Sequence, residues 1–281
     1  SIAGNLPGAP ALMGNVCVWK PSKTAVYSAH LIMEILKEAG LPDGVINLVY
    51  CSGPTAADVI FSHKDFAGIH FTGSTQVFND IWATIVKNID KYRSYPRIVG
   101  ETGGKDYIFA DPTACPKEVA TAIVRGAFEY QGQKCSAASR AYIPANIWPE
   151  VENYVQEDMA NIKVGGVEDF TNFVNAVIDE ASFVKLSNAI DAANKSEDAE
   201  VIIGGHYDMS AGYFIQPTII QAFKPDYITM REELFGPILT VYVYDPEKVD
   251  ETLDILDKSS AYALTGAIFS KNRANIEEMT E

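Results

Sequence analysis

The sequence lacks the features that mark several large classes of protein. It has four cysteines in 281 residues and no C-x-x-C pair, which is typical of a reducing compartment rather than a disulfide-stapled secreted fold. Its four histidines show no H-E-x-x-H or similar ligand spacing, so we expect no metal site. No run of 18 apolar residues occurs, which excludes a membrane-spanning helix from this stretch.

Positive charge is also scarce. The chain has 22 basic and 37 acidic side chains, for a net charge of −15. Nucleic-acid binding needs a basic face, so nucleic acid is excluded as an expected partner. Hydrophobic residues make up 47% and charged residues 21% of the chain, which indicates a globular protein. Its length of 281 residues indicates two domains or one large α/β domain.

Strand and helix signals alternate along the chain. Short apolar runs predict strands at 16–19, 46–50, 68–72, 107–110, 141–143, 238–244 and 265–270. Apolar periodicity predicts helices at about 24–39, 54–61, 74–89, 116–130, 149–162, 179–193, 250–258 and 272–281. In the helix near 24–39, Leu31, Ile32, Ile35, Leu36 and Ala39 are expected to share the buried face. Such alternation favours an α/β fold with a mainly parallel sheet.

A glycine-rich segment, GETGG at 100–104, interrupts this alternation. We place a domain boundary there, with one domain at 1–103 and a second at 104–281. The same segment offers a candidate site residue, because flanking glycines let the backbone carry Glu101 close to a ligand. A carboxylate near a thiol could act as general base for an attacking water. Taken alone, however, Glu101 fits a solvated loop carboxylate better.

The candidate nucleophile lies in FEYQGQKCSAASR at 128–140. There, a predicted helix is followed by Gly132 and then by Cys135 in a loop of small residues. A nucleophilic thiol needs access and a lowered pKa, which helix ends and cationic neighbours can supply. Lys134 is adjacent in sequence, but this does not show that its ammonium faces the sulfur. Composition alone favours a buried structural cysteine.

Two strand ends offer candidate ligand sites. In HFTGSTQV at 70–77, a strand turns through Gly73 into a helix, whose first N–H groups suit a phosphate. The glycine-rich dinucleotide fingerprint G-x-G-x-x-G is absent, and an ordinary strand-to-helix turn would look similar. Lys20 follows another strand, at the edge where open α/β sheets bind ligands, although an ordinary surface lysine is the simpler interpretation.

The motifs together are more specific than any one of them. WKPS, FTGS, GETGGK, GQKC and EELFGP occur in this order, and Cys135 lies 34 residues after Glu101. This arrangement resembles the NAD(P)-dependent aldehyde dehydrogenase superfamily over essentially the whole chain. AGNLPGAPALMGN together with FEYQGQKCSAASRAY is similar to the branch that oxidises L-glutamate 5-semialdehyde to glutamate in proline degradation.

The resemblance implies a fold and a role for each matching residue. It implies a Rossmann-type cofactor domain, part of which is residues 1–103, and an α/β catalytic domain, truncated here, at 104–281. Cys135 matches the nucleophile, Glu101 the general base that activates water, and Ser136 a substrate contact. The cofactor residues that it implies are Lys20 at the adenine ribose, Gly73, Ser74, Thr75, Gln76 and Val77 at the pyrophosphate, and Glu233 and Phe235 at the nicotinamide ribose.

The implied chemistry agrees with elementary requirements. Hydride leaves an aldehyde easily only after a nucleophile has made its carbon tetrahedral, so a thiol is needed. The resulting thioester must be opened by water, so a base is needed. NAD is the implied cofactor, which supplies the redox chemistry. Relatives often carry an acid where this sequence has Lys23, which leaves NADP use open.

Other expectations concern the whole protein. The chain begins without Met and ends within a predicted helix, so we expect it to be an internal part of a longer protein. The family's oxyanion-stabilising asparagine should then precede Ser1, and the segment that anchors the substrate and builds the oligomer should follow Glu281. The resemblance implies a homo-oligomer, a dimer or larger. It also implies the cytoplasm for a bacterial protein and the mitochondrial matrix for a eukaryotic one.

Two alternatives to this function remain open. One is an aldehyde dehydrogenase that acts on a different aldehyde. The other is a non-catalytic relative that serves as a binding or structural protein. A lost nucleophile or base would mark such a relative, whereas Cys135 and Glu101 are both present.

Overall fold

The computed structural model describes residues 2–262 and 264–280. The chain forms two compact units, Ser1–Gly103 and Gly104–Glu281. Both contain parallel β-structure and helices, which confirms the predicted α/β class. No helix of the described residues is long and apolar enough to cross a membrane.

Over residues 2–103, the first unit contains two parallel strand pairs and four α-helices. Its strands are β1 (Cys17–Trp19), β2 (Ile46–Leu48), β3 (Gly68–Thr72) and β4 (Arg97–Glu101), and β1 pairs with β2 while β3 pairs with β4. Its helices are α1 (Ile2–Leu12), α2 (Val26–Glu38), α3 (Gly53–Ile60) and α4 (Thr75–Lys87), with 3₁₀ turns at Lys23–Ala25 and Ile89–Lys91. The carboxyl ends of β3 and β4 therefore lie side by side at one sheet edge.

Two small apolar clusters hold this unit together. One includes Trp19, Ala29, Met33 and Ile46, and the other is formed around Phe61, Phe66 and Ile85. Burial of these side chains is the main source of stabilisation.

The buried face of α2 matches the predicted one only in part, since Ile32 and Leu36 pack against the cluster around Met33 but Ala39 is exposed. Ala29 and Met33 are buried, whereas Leu31 and Ile35 are 44% and 63% exposed. Residues four apart share a helix face, so Leu31 and Ile35 lie together on the exposed side. The apolar pattern of α2 is therefore broader than the face that this unit covers.

The second unit is built on a six-stranded sheet. Its sheet strands are β5 (Asp106–Ala110), β6 (Ala138–Pro144), β7 (Ala199–Ile203), β10 (Thr218–Ala222), β11 (Ile238–Tyr244) and β12 (Gly266–Phe269), in the spatial order β12-β5-β6-β11-β10-β7. A separate hairpin pairs β8 (Tyr207–Asp208) with β9 (Phe214–Ile215). Within the six-stranded sheet, all strand pairs are parallel except β10 with β7. Its helices are α5 (Pro116–Phe128), α6 (Trp148–Met159), α7 (Glu180–Asn194), α8 (Ile228–Arg231), α9 (Val249–Lys258) and α10 (Arg273–Thr280).

The core of this unit explains why α5 forms. Pro116 lies in its first turn and Arg125 in its last turn, which are favourable positions for each residue. Its apolar residues recur at helical spacing, so that Val119, Ile123 and Phe128 are buried and pack against α6, β6 and β11. The predicted strands and helices are present here, with bounds that differ by at most three residues.

Several elements depart from the sequence expectations. The Gly/Pro-rich start of the chain forms α1 despite Pro7 and Pro10 inside it. Strands β4, β7 and β10, of five residues each, were not predicted. The helix predicted to Tyr130 ends at Phe128, where a 3₁₀ turn begins. The expected end of the last helix at Glu281 lies outside the described residues.

Candidate active site

In the first unit, Glu101 and the turn that follows β3 lie together. Thr72 and Glu101 are register partners at the ends of β3 and β4. The Gly73 N–H donates to the Glu101 carbonyl at 3.2 Å. The prediction that Glu101 lies in a free glycine-rich loop was wrong: Gly100 and Glu101 are the last residues of β4. The side chain of Glu101 is exposed, while its backbone is fixed by the pairing of β4 with β3.

The start of α4 has a capped helix end with free backbone N–H groups. Ser74 is the N-cap, and its Oγ accepts from the Val77 N–H at 3.3 Å. The Thr75 Oγ1 accepts from the Gly103 N–H at 3.2 Å. Within residues 2–262 and 264–280, no acceptor contacts the N–H groups of Thr75 and Gln76. Two free N–H groups at the positive end of a helix fit a phosphate of a dinucleotide.

Lys20 lies directly after β1, as the sequence predicts. Its ammonium is partly buried and donates to the Pro21 carbonyl at 2.7 Å. Lys23 begins the 3₁₀ turn that follows and is exposed. Lys20 thus has a defined position, while Lys23 is free to contact solvent or a ligand.

In the second unit, Cys135 lies in a tight turn. The Ala137 N–H donates to the Lys134 carbonyl at 3.1 Å, so that Cys135 and Ser136 occupy the two central positions. Cys135 is half-buried and Ser136 is exposed. A reagent or substrate can therefore reach this turn, as a nucleophile requires.

The cation next to Cys135 is already paired. The Lys134 Nζ donates to Glu129 Oε2 at 2.5 Å, and Arg125 contacts the other oxygen of that carboxylate at 2.9 Å. The hydrogen bond from Lys134 and the charges of both cations lower the pKa of Glu129. The charge of Lys134 is thus shared with a carboxylate, so proximity in sequence does not make it an activator of the thiol.

Gly104 joins the Cys135 turn to Glu233. A Cβ at Gly104 would lie 2.3 Å from the Cys135 carbonyl oxygen, so the two backbones touch and only glycine fits. The Gly104 N–H donates to Glu233 Oε1 at 3.0 Å. Among the described residues, no donor contacts Glu233 Oε2, which leaves that oxygen available to a ligand hydroxyl.

A second connection joins the Cys135 loop to the segment around Phe235. Gln133 Nε2 donates to the Phe235 carbonyl at 3.5 Å, and its Oε1 accepts from the Ile178 N–H at 3.1 Å. Gly132 has φ +62°, and a Cβ there would lie 2.4 Å from the Gly236 carbonyl oxygen. The chain turns at the end of α5 to make this close approach, which is why the predicted helix does not continue.

Two buried cations, Lys105 and Arg140, lie close in sequence to Gly104 and Cys135. Lys105 and Arg140 are 1% and 3% exposed. The Arg140 Nε donates to the Lys105 carbonyl at 3.1 Å, and its guanidinium also contacts Ser259 and Tyr142. Burial, followed by repulsion from Arg140, lowers the pKa of Lys105 to about 7. The Glu233 carboxylate acts in the opposite direction.

Each unit therefore brings together its own group of predicted residues. The first unit joins Glu101 to the segment Gly73, Ser74, Thr75, Gln76 and Val77, and the second unit joins Cys135 and Ser136 to Glu233 and Phe235. Sequence reasoning did not single out Gly104, Lys105 or Gln133. Their only signal was their place within the motifs GETGGK and GQKC, because burial and close approach cannot be read from residue type. No group of three or more acidic, histidine or cysteine residues that could hold a metal occurs in the described part of the chain.

Comparison with known proteins identifies the family. The chain matches the aldehyde dehydrogenase family over residues 5–281. It belongs to that family, so the resemblance found in the sequence motifs is confirmed.

Within the family, the chain is similar to several proteins named delta-1-pyrroline-5-carboxylate dehydrogenase. It is 50% identical over 279 residues to the mitochondrial delta-1-pyrroline-5-carboxylate dehydrogenase of Dictyostelium discoideum, covering 99% of this chain and 50% of that protein. A crystal structure of the Mycobacterium tuberculosis delta-pyrroline-5-carboxylate dehydrogenase has a TM-score of 0.93 and 46% identity, covering 100% of this chain and 51% of that one. The NAD-bound structure of the same enzyme has a TM-score of 0.92 and 46% identity, covering 99% and 51%. The chain thus spans about half the length of the curated relatives that it matches.

Proposed function

We propose that the protein is an NAD-dependent dehydrogenase that oxidises L-glutamate 5-semialdehyde, the open form of 1-pyrroline-5-carboxylate, to L-glutamate. The observation that carries the proposal is the similarity of the whole chain to enzymes of that name, at up to 50% identity. The structure supports the proposal independently. Cys135 is half-buried, and its backbone contacts Gly104, which donates a hydrogen bond to Glu233. Proline degradation is the process in which this reaction would take part.

The roles of the site residues follow from their chemistry. Cys135 attacks the aldehyde carbon to give a thiohemiacetal, and loss of hydride from that carbon and of the proton from its hydroxyl leaves a thioester on the sulfur. Glu101 accepts a proton from the water that hydrolyses the thioester. Ser136, exposed in the same turn as Cys135, contacts the substrate.

The residues that would hold the cofactor fit a dinucleotide. Thr75 and Gln76 offer free N–H groups to the pyrophosphate, beside Gly73, Ser74 and Val77, and Glu233 Oε2 is available to a ribose hydroxyl. Phe235, 38% exposed, would pack beside the nicotinamide, and Lys20 would bind the adenine ribose. NAD, when bound, accepts the hydride. On this basis residues 1–103 contribute to the cofactor domain and 104–281 to the catalytic domain.

The assembly and location of the protein are part of the proposal. We propose a homo-oligomer, a dimer or larger, which light scattering on the purified protein would test. The Dictyostelium relative is named a mitochondrial enzyme, and structures of bacterial relatives are also known. The proposed location is therefore the mitochondrial matrix for a eukaryotic source and the cytoplasm for a bacterial one.

A comparison of substrates and cofactors tests the proposed function. The purified full-length protein is given glutamate semialdehyde or a simple aliphatic aldehyde, each with NAD or NADP, and formation of reduced cofactor is measured. We expect kcat/KM to favour the semialdehyde with NAD by about 100-fold, since substrate discrimination needs several kcal/mol of specific contacts. Better use of the aliphatic aldehyde would indicate a different aldehyde dehydrogenase, and no activity with either would favour the non-catalytic alternative. Preference for NADP would contradict the proposed cofactor.

A further inference from the structure

The Cys135 loop, residues 129–137, contains a backbone conformation that side chains rarely adopt. Tyr130 and Gln131 have φ values of +56° and +57°, in the left-handed region that favours glycine. Among the described residues, the only other non-glycine residue at positive φ is Phe235, in the segment that approaches Gly132. Such conformations persist only where surrounding contacts hold them, so the loop must be fastened to its neighbours.

The side chain of Gln131 supplies the first fastening. It is 7% exposed, and its Oε1 accepts from the Asn175 N–H at 3.1 Å. Asn175 is itself fixed, because its Nδ2 donates to the Gly165 carbonyl at 2.9 Å. The preceding residue, Val174, is fully buried and bridges to Val164. Gln131 is therefore attached to a rigid part of the second unit.

The side chain of Gln133 supplies a second fastening to the same segment. Its Oε1 accepts from the Ile178 N–H at 3.1 Å, three residues after Asn175. Between them, Val177 is buried and its N–H donates to the Tyr213 carbonyl at 2.9 Å. The backbone N–H groups of an irregular segment need acceptors, and the two glutamines provide them here.

These two glutamines lie directly before the thiol. The Gln133 N–H donates to the Tyr130 carbonyl at 3.0 Å, which closes a turn over residues 130–133. The turn over residues 134–137, which carries Cys135, follows immediately. Since no flexible spacer separates the two turns, a shift of Gln133 moves the thiol as well.

We propose that Gln131 and Gln133 are positioning residues that fix the Cys135 thiol for its attack on the aldehyde. Each accepts a backbone N–H of the segment 175–178 and so holds the Cys135 loop in its left-handed conformation. This inference rests on the proposed function, because it requires that Cys135 is the nucleophile. It assigns neither glutamine a contact with substrate or cofactor.

Methionine at either position tests the inference in the full-length protein, because it keeps the length of the side chain and removes the acceptor. For Gln131→Met and Gln133→Met we expect kcat to fall about tenfold, since the thiol leaves its position of attack, with the KM for NAD within about twofold. Gln131→Gly adopts the left-handed conformation without strain and should be equally impaired. Gln156→Met, which replaces an exposed glutamine of α6, is the matched control.

Alkylation by iodoacetamide, located by mass spectrometry, reports the thiol independently of turnover. We expect Cys135 to react about tenfold faster in both methionine variants, because a loosened turn opens more often. Cys115, also half-buried in the same unit, should keep its wild-type rate. Faster alkylation combined with slower turnover is the result expected of a mispositioned thiol.

Several results would overturn the inference. Folded methionine variants, as judged by Tm, with the kcat of Gln156→Met would do so, as would faster alkylation of Cys115 to the same extent. Wild-type kcat in Gln131→Gly would remove the role of the Gln131 side chain. For the wild type alone, hydrogen exchange should be at least about 100-fold slower at the Asn175 and Ile178 amides than for free amides, and unprotected exchange would contradict both hydrogen bonds even if no variant folds.

The proposed function can fail separately. If the wild type does not oxidise glutamate semialdehyde, that function is wrong, and the catalytic purpose of the glutamines falls with it. Alkylation and hydrogen exchange would still show whether Gln131 and Gln133 hold the Cys135 loop.

Discussion

The four-residue turn around Cys135 determines how far the thiol is exposed to solvent. Cys135 and Ser136 lie at its centre, and the Ala137 N–H closes it onto the Lys134 carbonyl. Composition alone favoured a buried structural cysteine, but the side chain is half-buried beside the exposed Ser136. The difference arises because exposure depends on the turn, and a run of small residues does not specify the turn.

Removal of this thiol should abolish turnover. Cys135→Ala is expected to lower kcat by about a thousandfold or more, because the proposed mechanism forms the thioester on the Cys135 sulfur. Cys115→Ala is the matched control, since Cys115 is also half-buried and in the same unit but lies before α5; it should keep activity within about twofold. NADH formation measures both variants. Substantial turnover by Cys135→Ala would contradict the covalent mechanism.

Between secondary-structure elements, the site depends on close backbone approaches. Gly104 lies just before β5 and contacts the carbonyl of Cys135, which precedes β6. Gly132, after α5, contacts the carbonyl of Gly236, which precedes β11. The loops that precede β5, β6 and β11 are thus in backbone contact with one another, at positions where only glycine fits.

A side chain at Gly104 should disturb catalysis more than it disturbs folding. In Gly104→Ala the new Cβ would lie 2.3 Å from the Cys135 carbonyl oxygen, so the turn that carries the thiol must move. Displacement of a reacting group by about 1 Å can cost about 100-fold in rate, and we expect a loss of that size in kcat. Gly53→Ala is the control, because nothing lies within 4 Å of its Cβ position.

The measurement combines steady-state kinetics with the Tm of each variant. A folded Gly104→Ala protein with the kcat of Gly53→Ala would show that the contact with Cys135 has no catalytic importance.

The same elements show how far the sequence could be interpreted. Strands at 68–72 and 238–244 agree with the structure, because continuous apolar runs and clear turn residues mark them. The site motifs were recognisable as well, since they are short and their order is specific. Burial of Lys105, the paired state of Lys134 and the strand conformation of Glu101 were not predictable. Each of these depends on neighbours that are distant in sequence.

At the scale of the whole molecule, the candidate residues are divided between two units. The first carries Glu101 and the helix start at Ser74, and the second carries Cys135 and Glu233. In the proposed mechanism, the second unit forms the thioester and the first supplies the base that completes the cycle. The central claim is therefore that the two steps are separable by substitution of a single residue.

Rapid mixing of a Glu101→Gln variant with glutamate semialdehyde and NAD tests that claim most directly. A stopped-flow trace records NADH, and mass spectrometry of the quenched, digested protein identifies any acyl group. The mechanism predicts a burst of about one NADH per site followed by turnover about 100-fold slower than the wild type, with the acyl group on Cys135. Loss of the burst together with turnover would assign Glu101 to activation of the thiol, and an acyl group on any other residue would contradict the role of Cys135.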